Sequence, residues 1–300
     1  MVRYKIAGHT MGTPEYTVPE ALELFHKIDL DGAEIVVQDG YKCGIPTNCA
    51  EEELEKIRKK AEETGIKIIA LTPYNSYFNS LDEEVRQKEL QGIRRVIKYA
   101  KYLDAKYIRI YAGNYAASEM DPDGCKKETL ISSMRELGED AKEAGVMLVM
   151  ENHFNTMTVS ARQSMDIAED VNHPNVGILY DQANLTFTLQ EDYEEAIGIQ
   201  MKRVKYVHVK DLDFKSGSHA FISDEVSHPK EEDRNVVTRI VGKGCIKWPE
   251  ILQKMHDFGY DGWLSLEYER RWHPDDIPDA SIGMKASVDY LRECFEKLVE

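Results

Sequence analysis

Eight times along this chain a short apolar stretch gives way to a longer amphipathic one. The apolar stretches at 3–8, 33–37, 66–71, 107–111, 146–150, 176–180, 204–209 and 262–266 have the length and residue types of strands buried on both faces. The stretches at 19–27, 51–63, 82–103, 126–144, 160–170, 193–200, 246–258 and 281–298 carry apolar residues at helical spacing, and Gly65 and Gly145 end two of them. Eight strands, each followed by a helix and joined by right-handed crossovers, predict an α/β fold, a single (β/α)8 TIM barrel. An open doubly wound sheet would want a Gly-rich turn after the first strand, and Ala7-Gly8-His9-Thr10-Met11-Gly12 is not a G-x-G-x-x-G. No linker-like composition break interrupts residues 1–300, so one domain is expected. The rhythm is broken once, after the seventh strand, by a long polar insertion over 211–240. A loop of that length is usually functional, and it is expected to act as a lid.

The ends of the strands carry the chemistry. Val146-Met147-Leu148-Val149-Met150 runs straight into Glu151-Asn152-His153. The sixth, seventh and eighth strands end in the same manner at Asp181, His208 and Glu267. Side chains alternate faces along a strand. With Leu264 and Leu266 packed on the helices, Glu267 points to the barrel axis, and with Val207 and Val209 outward, His208 points inward. In such a barrel this end is where active sites are built. Three carboxylates brought together repel unless protons or a cation neutralise them. Three oxygen donors and an imidazole suit one divalent ion, Mn²⁺, Co²⁺ or Mg²⁺, with Zn²⁺ also accommodated.

Charge and composition narrow the partners. The net charge of -16 argues against a nucleic-acid backbone as ligand. No apolar run has the length of a membrane span, and the N-terminus has no leader pattern, so no membrane role is expected. Five cysteines without a C-x-x-C fit neither a disulfide frame nor a zinc knuckle. A reduced, cytoplasmic protein acting on a small molecule is expected.

The chain resembles the xylose-isomerase-like barrel superfamily of sugar isomerases and epimerases. The resemblance is carried by Met150-Glu151-Asn152-His153, Tyr180-Asp181-Gln182-Ala183-Asn184, His208-Val209-Lys210-Asp211, Val241-Gly242-Lys243-Gly244-Cys245-Ile246-Lys247-Trp248 and Leu266-Glu267. It implies that Glu151, Asp181, His208 and Glu267 bind the metal, and that Glu151 and Glu267 are also the acid/base pair. In the ketose 3-epimerases a second histidine stands three residues after the aspartate and touches substrate; here that position is Asn184. A basic residue before the G-x-G turn corresponds to Arg239. Members are commonly homo-oligomers. The implied activity is isomerisation or epimerisation of a sugar or sugar-like ketone by proton transfer through a metal-stabilised enediolate. A metal-dependent dehydratase or lyase on an inosose or keto-glycoside uses the same site and stays open. A DNA-repair endonuclease of the endonuclease IV type needs more histidines than this chain offers, and a barrel without catalysis would not need the full ligand set.

Several further residues are candidates for substrate contact. Lys210 shares the inward face of His208, and either meets substrate or pairs with Asp211 or Glu267. His153 follows Glu151 on the same face. Arg109 points into the barrel between Ile108 and Ile110, where it forms an ion pair with Glu34 or anchors substrate. His9 closes the first strand, as pocket lining or as a cap. Trp248 and Trp263 are expected to pack, whereas Trp272 can wall the cleft. Of the remaining histidines, His219 is the one a closing lid would bring in.

Overall fold

The sequence breaks into strands and helices where its caps require. Thr17 and Glu20 form a reciprocal capping box before Val18–Lys27 (α1), and Ser160 and Gln163 do the same before Ala161–Val171 (α5). The Asp82 side chain caps Glu83–Tyr102 (α3). Gly65 ends Glu51–Thr64 (α2) with φ 72°, and Gly145 ends Cys125–Ala144 (α4) with φ 73°, backbone geometry that a side chain would strain. The computed structural model describes residues 4–116, 119–189, 191–215 and 235–299.

The strands that matter for the site are Lys5–His9 (β1), Gly32–Val37 (β2), Lys67–Pro73 (β4), Tyr107–Ile110 (β5), Met147–Glu151 (β6), Val176–Asp181 (β7), Val204–Val209 (β8) and Trp263–Leu266 (β11). All neighbours run parallel in the order β1-β11-β8-β7-β6-β5-β4-β2, and the pairing of β1 with β2 closes the barrel. This is a closed TIM barrel, as the alternation predicts. The remaining helices are Gln182–Leu189 (α6), Tyr193–Gln200 (α7), Trp248–Asp257 (α8) and Ala280–Glu296 (α9). The helix boundaries expected from the sequence are met to within two residues.

Two apolar layers result from the strand alternation. Leu148, Met150, Ile178, Tyr180, Val207, Val209, Leu264 and Leu266 face outward into the large core beneath the helices. Ala7, Tyr107, Val149, Leu179, Tyr206 and Trp263 face inward and fill the barrel's lower half. Trp263 fits there because a Cβ on Gly32 would meet its ring at 2.7 Å. The apolar filling of the lower half sets the polar side chains above it, toward the C-terminal rim.

Four further elements go beyond the sequence expectation. Gly44–Ile45 (β3) adds two residues beside β2, and α6 begins directly after Asp181. Asp211–Phe214 (β9) and Val236–Arg239 (β10) pair antiparallel, so the long insertion starts and ends as a two-stranded ladder. The rest of the expected lid, residues 216–234 with His219 and His228, lies outside the described residues.

Candidate metal centre and active site

Four consecutive barrel strands deliver the polar rim. Glu151 is the last residue of β6 and Asp181 the last of β7; His208 stands in β8 and Glu267 directly follows β11. Asp181 is in register with His208, and His208 with Ser265. One ligand atom from each of Glu151, Asp181, His208 and Glu267 lies within 4.8 Å of all the others, and all four residues are buried. His208 Nδ1 is central to the group. It lies 3.2 Å from Glu151 Oε1, 3.5 Å from Glu267 Oε2 and 3.9 Å from Asp181 Oδ2.

Local structure aims each carboxylate. The first turn of α6 holds Asp181, because the Asn184 backbone N–H donates to Oδ1 at 2.9 Å. Asn152 points away from the site and ties the layers together, donating to Ser164 Oγ at 2.6 Å and to Gln200 Oε1 at 3.1 Å. The Thr158 hydroxyl donates to the Glu151 carbonyl at 2.6 Å and fixes the turn that follows.

Countercharge is close at hand. Lys210 Nζ lies 2.7 Å from Glu267 Oε2, 3.1 Å from Asp181 Oδ2 and 3.4 Å from Glu269 Oε1. Arg109 Nε lies 3.4 Å from Glu151 Oε2. Burial pushes every carboxyl here upward, and the neighbours decide which one keeps its proton. For Asp181 burial prevails over Lys210, the negative charges of Glu267 and Glu151 add to it, and its value rises to about 7. For Glu151 burial and Glu267 are outweighed by Arg109 and His208, leaving it below the ordinary range. For Glu267 burial is outweighed by Lys210 and His208, leaving it well below. Burial disfavours the His208 imidazolium, yet Glu34, Glu267 and Glu151 hold its proton far above the usual histidine range.

The donor set fits a divalent cation. Three carboxylates and one imidazole nitrogen converge, and Glu151 Oε2 is buried without any hydrogen-bond donor. In the metal-free chain the protons on His208 and Asp181, with Lys210, stand where a cation's charge would act. Oxygen-rich donors favour a hard or borderline ion over a thiophilic one.

The other candidates divide. Lys210 pairs with Glu267 and Asp181, not with Asp211. Asp211 instead accepts the backbone N–H groups of Leu212, Gly242, Gly244 and Ile246, and so builds the turn after the insertion. His153 lies at the rim, its ring 4.6 Å from Tyr111 and 4.1 Å from Phe154. Its Nδ1 meets the Phe154 carbonyl at 2.9 Å and must carry the proton, which leaves Nε2 as an acceptor. Asn184 reaches the cluster, donating from Nδ2 to Glu151 Oε1 at 3.4 Å, and its Oδ1 is buried without a partner. His9 is both cap and lining: Nδ1 accepts the Met11 N–H at 3.0 Å, and Nε2 faces Glu34 at 3.8 Å. Arg239 stands on β10. It pairs with Asp213 across the β9–β10 ladder at 2.9 Å, half exposed.

The expected Glu34–Arg109 pair does not form. Arg109 extends toward the rim, its guanidinium 4.0 Å from the Tyr111 ring centre and 5.2 Å from that of Tyr74. Glu34 is taken by other donors: the Thr72 hydroxyl at 2.5 Å, the Tyr206 hydroxyl at 3.1 Å and His208 Nε2 at 3.1 Å. Trp272, which the sequence offers as a wall of the cleft, ends an aromatic arc around the rim whose three tyrosines sequence reading misses. Trp272 neighbours Tyr41, Tyr41 neighbours Tyr74, and Tyr74 neighbours Tyr111, with ring centres 6.1, 6.1 and 6.4 Å apart. Two of these tyrosines sit at or just past strand ends, the same signal that revealed the acidic residues.

Residues 22–294 match the family model described as xylose isomerase-like TIM barrel. Among curated relatives, an uncharacterized protein of Methanocaldococcus jannaschii is 24% identical over 297 residues, covering 95% of this chain and 88% of that one. An inosose dehydratase of Clostridium perfringens is 30% identical over 162 residues, 54% of this chain and 52% of that one. The chain thus aligns with only about half the length of the inosose dehydratases it matches. Among solved structures, an L-ribulose 3-epimerase superposes with a TM-score of 0.76 at 17% identity, covering 98% of this chain and 95% of that one. A xylose isomerase-like TIM barrel protein from Mycobacterium smegmatis in complex with magnesium superposes with a TM-score of 0.72 at 16% identity, covering 97% of each chain. At these identities the likeness concerns the fold.

Proposed function

Because the chain belongs to the xylose isomerase-like TIM barrel family, we propose that it is a divalent-metal-dependent isomerase or epimerase acting on a sugar or sugar-like ketone. The observation that carries this proposal is the convergence of Glu151, Asp181, His208 and Glu267 at one buried point of the barrel rim. Those four residues would hold one ion, and Mn²⁺, Co²⁺ or Mg²⁺ best match the donor set. When bound, the ion supplies Lewis acidity to the substrate carbonyl and the oxygen beside it.

The chain's own groups do the rest. Glu151 removes the proton from the carbon next to the carbonyl, its carboxylate kept ionised by Arg109, whose Nε lies 3.4 Å from Oε2. Glu267 stands across the site and relays to the carbon a proton from Lys210, 2.7 Å away; Glu151 then gives up the proton it took to solvent, and Lys210 regains one from solvent. Return to the opposite face gives an epimer; return to the neighbouring carbon gives an isomer. Arg109, Asn184 and the Nε2 of His153 orient sugar oxygens. The arc of Tyr41, Tyr74, Tyr111 and Trp272 covers the apolar face of the substrate and excludes water. The five free cysteines suit a reducing cytoplasm.

A second reading, a metal-dependent dehydratase on an inosose, is favoured by the relatives that carry that name. There Glu151 takes the same proton and Lys210 protonates the departing hydroxyl. Incubating the Mn²⁺-loaded protein with ketoses and inososes in D₂O, followed by NMR, tests both. An epimer or isomer carrying deuterium beside the carbonyl is expected. Loss of water from an inosose selects the dehydratase, and product without deuterium contradicts proton exchange with solvent.

A further inference from the structure

Glu34 lies outside the four-residue cluster, beneath it, on β2. It is fully buried. Burying a carboxylate is costly unless hydrogen bonds replace its water. Three donors do so here: Thr72 at 2.5 Å, Tyr206 at 3.1 Å and His208 Nε2 at 3.1 Å. His9 Nε2, whose Nδ1 is already occupied by the Met11 N–H, adds a second imidazole at 3.8 Å. Of these groups only His208 also touches the cluster, and it does so through the opposite nitrogen, Nδ1.

An ionised carboxylate only accepts. His208 must therefore present N–H at Nε2; a lone pair there would face the negative oxygens of Glu34. The Thr72 and Tyr206 hydroxyls and the His208 ring all stand within hydrogen-bond reach of the two Glu34 oxygens, surroundings that suit the carboxylate. When His208 carries a single proton, that proton is pinned to Nε2, and Nδ1 is the lone pair turned to Glu151, Asp181 and Glu267.

We infer that Glu34 is the positioning residue of the site: it fixes the tautomer and ring orientation of His208 so that Nδ1 is offered to the cation. This rests on the proposal that the cluster holds a metal. Partners of this kind typically change metal affinity by roughly 10- to 100-fold. The amide introduced by Glu34→Gln keeps the shape but is no longer an obligate acceptor, and it lets His208 turn or change tautomer.

The test titrates chelator-treated wild type and Glu34→Gln with Co²⁺, read by the visible absorption of the bound ion. Thermal unfolding of each confirms that both are folded. The variant is expected to bind Co²⁺ roughly 10- to 100-fold more weakly. In parallel, ¹⁵N–¹H spectra of histidine-labelled wild type loaded with diamagnetic Zn²⁺ should show His208 bound through Nδ1 and protonated at Nε2. Equal Co²⁺ affinity of the two folded proteins, or Zn²⁺ bound through Nε2, overturns the inference. If Glu34→Gln does not fold, the wild-type spectrum alone decides. A wild type that takes up no Co²⁺ sinks the metal proposal itself, an outcome distinct from equal binding by both.

Discussion

The two halves of the barrel rim are built from different materials. From β6 to β11 the strands end in Glu151, Asp181, His208 and Glu267, a buried charged cluster. From β1 to β5 the rim is lined by His9, Tyr41, Tyr74 and Tyr111, with Arg109 laid over two of those rings. In the proposed function the charged half carries the proton transfers, and the aromatic half shapes and dries the space above it. Glu34 joins the halves, since it rises from β2 and grips His208 of β8.

The sharpest way to break this division is to neutralise a carboxylate of the charged half. Glu151→Gln and Glu267→Gln are each expected to lower kcat by about 10²- to 10⁴-fold with the unfolding transition retained. Steady-state kinetics beside circular dichroism checks it; an active Glu267→Gln protein removes that residue from the acid/base pair.

Metal uptake sharpens the comparison next. A metal needs the deprotonated ligands. Asp181, raised to about 7, keeps its proton below that pH, and His208 keeps its own to higher pH still. Affinity for Mn²⁺ should therefore climb as pH rises through 7, with protons released on binding. Calorimetry in two buffers of different ionisation enthalpy measures the release; pH-independent binding without proton release contradicts the charge distribution described.

The aromatic half should respond differently. Arg109→Met removes the guanidinium that holds Glu151 down. The Glu151 carboxyl then rises, and the acidic limb of the rate profile moves to higher pH. Tyr111→Leu removes a stacking partner worth about 0.5–2 kcal/mol and is expected to raise KM more than it lowers kcat. Should Tyr111→Leu instead abolish turnover with KM unchanged, the separation of roles between the halves fails. The smallest effect is expected at Arg239→Ala. Its partly exposed pair with Asp213 is worth about 0–1 kcal/mol, and turnover should stay within about twofold of wild type.

The same contrast explains what could be read from the sequence. The barrel was legible because eight apolar runs alternate with helical ones, and the charged half because a carboxylate or imidazole ending an apolar run stands out. Of the aromatic half, His9 and Arg109 are legible but the tyrosines are not, because a tyrosine ending an apolar run looks like one more core residue. Of the two readings open for Arg109, the structure removes the pair with Glu34, for a related reason. Alternation places Glu34 and Arg109 both inside the barrel, but it does not say that Arg109 reaches upward to Tyr111 while His208, Tyr206 and Thr72 close on Glu34. Arg239 was carried over from a family motif, and the β9–β10 ladder that turns it toward Asp213 leaves no mark in that motif.

The central claim is that four side chains grip one ion. Titrating chelator-treated protein with Mn²⁺ by calorimetry, for wild type and Asp181→Asn, tests it most directly. The account predicts one ion per wild-type chain and severely weakened binding by the folded variant. No binding by wild type, or equal binding by both, contradicts it.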